Sequence, residues 1–387
     1  MSAFDADVIV VGGGLAGLAA AIAVAQAGLE TLHVAPAAPP DRRTSALMMP
    51  SVDYLRSAGL IDDPAELGHP LTQIRIIDAT SRLVRAPETL FDAREAGLTA
   101  FGWNFANTKL AEAFSTARTN LANLSARQAS LAALDIGEGA MLTLDDGTRL
   151  HSPLLVGADG KKSLIRAAAG FRASENGFTQ AALVCDLDLS RPLDGTSVEF
   201  HYPRGPFTLV PAGGSRANLV WIDDRDALKH AQTLSPEALA RLFEEKSQHL
   251  FGRIGLATPT HTFALSTIAV DPAGKDGVVL VGEAAHAFPP IGAQGLNLGL
   301  RDVADLAAAL RAADRSGAGW ARTVSNDYAR RRAADLKRTG GMVDALFRSL
   351  ISELLPAQLL RAGGLWGMKA LPGLRKRAFA LGMGAGS

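Results

Sequence analysis

Three glycine-rich turns carry the residues of this chain whose types and spacing could do chemistry. The first is Gly12-Gly13-Gly14-Leu15-Ala16-Gly17, placed directly after the apolar run Asp7-Val-Ile-Val-Val11. In that pattern the first glycine makes a tight turn, the second admits a phosphate close to the backbone, and the third lets a helix pack on the strand. The helix that opens there offers unpaired N–H groups and a partial positive charge. Strand, turn and helix together make a seat for a dinucleotide diphosphate.

The second turn is Gly157-Ala158-Asp159-Gly160, with Ser163 and Arg166 after it. Read alone, its Asp-Gly pair is an ordinary turn. The third runs from Gly282-Glu283-Ala284-Ala285-His286 through Pro289 and Gly292 to Gly295, Leu296, Asn297, Arg301 and Asp302. It feeds a helix beginning near Gly295, whose N-terminus could stabilise negative charge on a reduced cofactor ring. His286 reads as a hydrogen-bonded loop histidine and not as a catalytic base. One expected group is missing. A dinucleotide unit of this kind places Asp or Glu at the end of its second strand to hold a ribose, and here that position is Ala35.

Several elements must position these turns. A helix from Leu18 to Ala27, with Gly28 as its C′ residue, and a strand from Glu30 to Val34 complete the opening βαβ unit. Residues 35–43 are a Pro-rich loop. Ser51 to Ala58 and Thr108 to Leu121 read as helices, and residues 72–100 as a mixed β segment. Asp146-Gly147 sits between alternating runs as a hairpin signal. From Ala181 to Ile222 the hydrophobic period becomes 2, the mark of an antiparallel sheet. Ser235 caps a helix with Pro236 as its first residue. Val278 to Val281 is a buried strand, and Leu296 to Ala312 a helix. The fold class is therefore mixed α/β: a Rossmann-like unit with an inserted antiparallel β-sheet. Residues 1–74, 101–175 and 265–340 form the dinucleotide-binding part, 75–100 and 176–264 the substrate-binding sheet, and 341–387 a C-terminal helical segment.

Composition narrows the function. With 39 basic and 39 acidic side chains there is no global field to hold nucleic acid. Cys185 is the single cysteine, which excludes a disulfide framework and a Cys-rich metal site and suits a reducing, cytoplasmic setting. The apolar stretch from Val8 to Leu29 is long enough for a membrane span, but glycines 12, 13, 14 and 17 make it strand, turn and helix instead.

The three turns, in this order, resemble the single-component FAD-dependent aromatic hydroxylases. That family carries GxGxxG, then a GADG turn followed by Ser and Arg, then GDAAH-x-x-P-x-x-GQG-x-N. Within it, Arg43-Thr-Ser-Ala46-Leu47, the strand Gly205-Pro206 to Pro211, and Val220-Trp221 are most similar to the ubiquinone-biosynthesis hydroxylases. The match covers roughly residues 5–340. The resemblance implies FAD as cofactor, NAD(P)H as co-substrate, and O2 chemistry through a C4a-hydroperoxyflavin, with a polyprenyl phenol as the aromatic substrate. It implies that Gly12, Gly14, Leu15, Ala16 and Gly17 meet the diphosphate, and that Arg43 reaches the phosphates or the ribityl side. Asn107 makes a polar FAD contact, and Asp159, Gly160 and Arg166 belong to the turn serving FAD and the nicotinamide. Gly292, Gly295, Leu296 and Asn297 line the flavin ring edge. Glu283 stands where the family has Asp for the ribityl chain. The cofactor supplies the hard chemistry, so no catalytic side chain is named. A flavin hydroxylase of a soluble aromatic compound, or a non-catalytic member of a biosynthetic complex, are the alternatives.

After Glu353 the chain has no acid, while Arg361, Lys369, Arg375, Lys376 and Arg377 alternate with Leu354, Leu365, Trp366, Leu371 and Phe379. That is the composition of an interfacial amphipathic helix, and it suggests peripheral attachment at the inner face of a membrane. A helix packed on the flavin domain with its basic face solvated is the competing reading.

Overall fold

The computed structural model describes residues 4–80, 85–317 and 319–351. A six-stranded sheet forms its first layer, in the order Gly274–Lys275, Val278–Leu280, Leu154–Gly157, Val8–Val11, Thr31–Ala35 and Leu124–Gln128. All its pairs are parallel except the hairpin at the 274–275 edge. Val8–Val11 and Leu154–Gly157 are buried throughout, which is why they read as unbroken apolar runs. The helix Leu15–Gln26 starts three residues earlier than its sequence suggests, because the glycine turn is shorter than the run of glycines. It ends at Ala27, and Gly28 takes the left-handed conformation a C′ glycine supplies.

The second large sheet has nine strands. Its order is His286–Ala287, His261–Val270, Ala173–Leu189, Arg216–Asp224, Gly205–Pro211, Thr196–Tyr202, Gln73–Asp78 and Thr89–Asp92, with Ile254–Leu256 also on Ala173–Leu189. Period 2 divides its faces. Phe200, Phe207, Leu209, Leu219 and Trp221 point to one side and pack with Phe243 of the covering helix Pro236–Lys246. Ser197, Glu199, Pro206, Thr208, Val210, Asn218 and Val220 point to the other side, into a cavity. Ser235 accepts from Ala238 N at 3.3 Å, as an N-cap should.

Regular elements cross three of the expected boundaries. Ala173–Leu189 and His261–Val270, which pair with each other, run through the boundaries expected at 175/176 and 264/265. The Pro-rich loop runs to Arg43 as expected, and a strand, Thr44–Met48, follows it and joins Gly102–Ala106 and Gly68–Leu71 in a small sheet. Alternation there is masked because Thr44, Ser45 and Ala46 all sit half-buried at a cavity wall. The last helix, Trp320–Ile351, crosses the boundary expected at 340/341. The basic and apolar residues after Glu353 lie outside the described residues. Among the described residues no helix is long and apolar enough to cross a membrane.

Candidate active site

Two helix N-termini open into one cavity of about 790 Å³. The first belongs to Leu15–Gln26, with Gly12 to Gly17 lining the wall. Its glycines act differently. A Cβ on Gly12, at φ +137°, would collide with the Ala158 carbonyl, and one on Gly17 with the Gly12 carbonyl. These two let the first strand, the second turn and the helix approach one another. Gly14 has nothing around its would-be Cβ, so the space beside it is open to a ligand. The second N-terminus belongs to Gln294–Ala312, whose Gln294, Gly295, Leu296 and Gly299 line the same cavity. Before it, Gly292 and Ala293 both have positive φ. A non-glycine residue held there is uncommon, and such strain gathers at functional sites.

Arg43 and Asp41 stand on the wall between them. Arg43 donates to Asp41 from Nε at 2.8 Å and from Nη2 at 2.9 Å. Asn107 Nδ2 donates to the same carboxylate at 2.8 Å, and Ser45 Oγ donates to Asn107 Oδ1 at 2.7 Å. Burial would raise the Asp41 carboxyl, but the hydrogen bonds from Arg43 and Asn107 outweigh it and hold it below its ordinary value. The Arg43 guanidinium is pushed up by its hydrogen bonds to Asp41, against partial burial, with the charges of Asp41 and Glu283 adding to the rise. Glu283 itself is exposed in the turn Gly282–Ala284 and lines the cavity.

Behind the cavity lies a buried ionic network. Asp302, on the helix Gln294–Ala312, accepts from Gly282 N at 2.8 Å, from His286 Nε2 at 2.6 Å and from Arg332 Nε at 2.7 Å. Arg332 also reaches Asp305 at 2.8 Å and Asp335 at 2.9 Å. His286 donates from Nε2 in this bond, because an ionised carboxylate only accepts. The ring then stacks at 11° on Phe288, a cavity residue.

These features suit a flavin dinucleotide. The open space at Gly14, the helix N-terminus beside it and an arginine at the wall match a diphosphate, and the second helix N-terminus matches a ring that gains negative charge. The same cavity continues under the large sheet, where Leu71, Phe101, Val210 and Val220 are among its lining residues. The sequence matches the model of the FAD binding domain family over residues 5–338. The chain belongs to this FAD-binding family. This flavoprotein is 31% identical over 389 residues to the ubiquinone hydroxylase UbiL of Rhodospirillum rubrum, a match covering 98% of the chain and 90% of that protein. It is 30% identical over 397 residues to the 3-demethoxyubiquinol 3-hydroxylase of Escherichia coli, covering 97% and 98%. Its fold matches p-nitrophenol 4-monooxygenase PnpA of Pseudomonas putida with a TM-score of 0.79 at 18% identity, covering 98% and 97%. It also matches aklavinone-11 hydroxylase, solved with FAD and aklavinone, with a TM-score of 0.72 at 22% identity, covering 90% of the chain and 69% of that protein. At such identities the structural likeness speaks for the fold alone. The flavoprotein is an FAD-dependent monooxygenase of the hydroxylase type.

Most residues expected at the site line the cavity: Gly12, Gly14, Leu15, Ala16, Gly17, Arg43, Asn107, Asp159, Gly160, Glu283, Gly292, Gly295 and Leu296. Two do not. Arg166 donates to Ala284 O at 3.0 Å and Lys161 O at 2.7 Å, so it ties the second turn to the third. Asn297 donates to Ala46 O at 2.9 Å and accepts from Met48 N at 2.9 Å, pinning the helix to the strand Thr44–Met48. Asp159 lines the cavity, but its carboxylate accepts from Ser163 Oγ and from Ile165 N and so holds the second turn closed. Sequence reasoning missed Asp41, although an acid two residues before Arg43 is a local signal for such a pair. It also missed the chamber's Asn104, Glu199 and Asn218, which alternation alone places on a face without saying what the face meets.

Proposed function

We propose that this flavoprotein hydroxylates the aromatic ring of an intermediate of ubiquinone biosynthesis, using NAD(P)H and O2. The observation that carries the reading is the continuity of one cavity, from the glycine turn at Gly12 to the sheet face at Pro206, Thr208 and Val220. The two full-length relatives are both ubiquinone-pathway hydroxylases by name, which supports this substrate class. When bound, FAD would pass the two electrons of NAD(P)H to O2 and so supply the activated oxygen.

The chain's own residues bind, orient and exclude water. Gly14, the N-terminal amides of Leu15–Gln26, and Arg43 with its Asp41 partner hold the anionic end, and the N-terminus of Gln294–Ala312 serves the ring. Leu71, Ile74, Phe101, Val210, Val220 and Ile291 make the far half apolar, which favours a ring and keeps out water. Among the described residues of the large sheet that line the cavity, Glu199 is the ionisable one, with Oε2 at 3.2 Å from His201 Nε2. It is placed to accept a hydrogen bond from a ring hydroxyl. Residues 353–387 attach the enzyme to the membrane surface, where a polyprenyl substrate resides.

Protein reconstituted with FAD, NAD(P)H and O2 is expected to add one oxygen atom to a polyprenyl phenol, read by mass spectrometry. Glu199→Leu is expected to raise KM for that phenol while FAD affinity stays the same. Oxygen insertion into a small soluble phenol with no turnover of the prenylated one would replace the substrate assignment. Equal flotation of the full chain and of residues 1–352 with anionic liposomes would remove the membrane attachment.

A further inference from the structure

The dinucleotide unit has no acid at the end of its second strand, and Gly13 carries no side chain against Ala35 to fill the gap. A ribose brought there has two hydroxyls that leave water, and hydroxyls without partners are costly in a cleft. The next strand of the sheet supplies candidates. Thr31–Ala35 pairs in parallel with Leu124–Gln128, and Ala35 is in register with Gln128. Register partners on a parallel ladder project from the same face, so the Gln128 amide stands beside the vacant acid position. That amide makes no hydrogen bond among the described residues, and neither does the Ser130 hydroxyl, whose backbone N donates to Asp145 Oδ1 at 3.2 Å.

Both residues border a groove of about 320 Å³ with Pro36, Ala37, Ala129 and Asp145. Pro36 and Ser130 also line the main cavity, so the groove continues it past the second strand. We infer that Gln128, assisted by Ser130, takes over from the missing carboxylate and holds the 2′,3′-diol of the adenosine ribose, an inference that rests on the FAD reading. An amide suits a diol: Oε1 accepts from one hydroxyl while Nε2 donates to the other. Its bonds are neutral, so the grip is weaker than a carboxylate's.

The test uses the full-length protein and binding alone, read by flavin fluorescence as FAD is displaced. ADP is expected to compete with FAD roughly two- to tenfold better than 2′,3′-dideoxy-ADP. Gln128→Ala should erase that preference and weaken FAD by a similar factor, and Ala35→Asp on the Gln128→Ala background should restore it. Equal competition by the two nucleotides in the unaltered protein overturns the inference, whatever any variant does. So does a Gln128→Ala protein that keeps the preference, or ADP that fails to compete at all. FAD that does not bind removes the FAD reading itself, a different result from FAD binding that ignores the diol.

Discussion

His286 Nε2 lies 2.6 Å from Asp302 Oδ2, and the two side chains are 2% and 0% exposed. Burial alone would raise the Asp302 carboxyl; the charges of His286 and Arg332 outweigh it and hold it below its ordinary value. A carboxyl depressed on folding stabilises the protein above its unfolded pKa of about 3.9, and that contribution is lost as pH falls through the folded value. Stability should therefore drop on acidification below about pH 4. Asp302→Asn leaves Arg332 buried against one lost partner and should be destabilised by about 3–5 kcal/mol at neutral pH. It should also show a shallower acid limb. Urea midpoints between pH 3 and 7 for both proteins check the sign and the size.

The glycines of the first turn should separate folding from binding. Gly17→Ala drives a methyl group into the Gly12 carbonyl, so its thermal midpoint should fall by several degrees. Gly14→Ala meets nothing in the protein, so its midpoint without cofactor should hold within about 1 °C. Its FAD affinity should fall about tenfold or more, because the methyl group occupies the diphosphate's approach. Calorimetry of both apoproteins, paired with flavin titration, reads the contrast. A Gly14→Ala protein that binds FAD normally would move the diphosphate elsewhere.

Asn104 joins the small sheet to the large one. Its Nδ2 donates to Pro211 O at 2.9 Å and to Asn218 Oδ1 at 2.6 Å, and Asn218 in turn donates to Asp186 at 2.6 Å. Asn104→Leu leaves buried acceptors unsatisfied and should lose about 1–3 kcal/mol. Because Asn104 and Asn218 both line the chamber, coupling should suffer as well. Under the proposed function, peroxide released per NAD(P)H oxidised should rise, measured beside FAD affinity, which should stay the same.

Much of this site could be read from the chain, and the failures share a physical cause. Gly12, Gly14 and Gly17 were legible because a turn between strand and helix admits few sequences. Arg166 and Asn297 sit inside equally recognisable motifs, yet their side chains turn back onto backbone carbonyls, and motif membership says nothing about direction. The Asp302 network was invisible because His286, Asp302 and Arg332 are far apart in sequence and their pairing depends on how the last two helices pack. Strands that cross the expected domain limits were missed for a similar reason. Ala173–Leu189 is exposed at its start, so its first residues lack the alternation that identifies its second half.

Cys185 should be unreactive in the native protein. Its thiol is pushed up to about 12 by burial, with the Asp186 charge adding to the rise. Since the thiolate is the nucleophile, iodoacetamide at pH 8 should label it only through unfolding. Labelling should be slow in buffer and fast in denaturant, and FAD should slow it further by mass action. Rapid native labelling would contradict the packing around Ala173–Leu189.

The parallel sheet draws its strands from three separated stretches of chain, and Val278–Leu280 is the last internal one to be made. A ribosome that has delivered only the first 270 residues has released the glycine turn but not the strand beside Leu154–Gly157, nor the helix that follows it. Until those two elements emerge, the polypeptide has half a cradle. Cofactor capture has to wait until Val278–Leu280 and the helix Gln294–Ala312 have both emerged and packed.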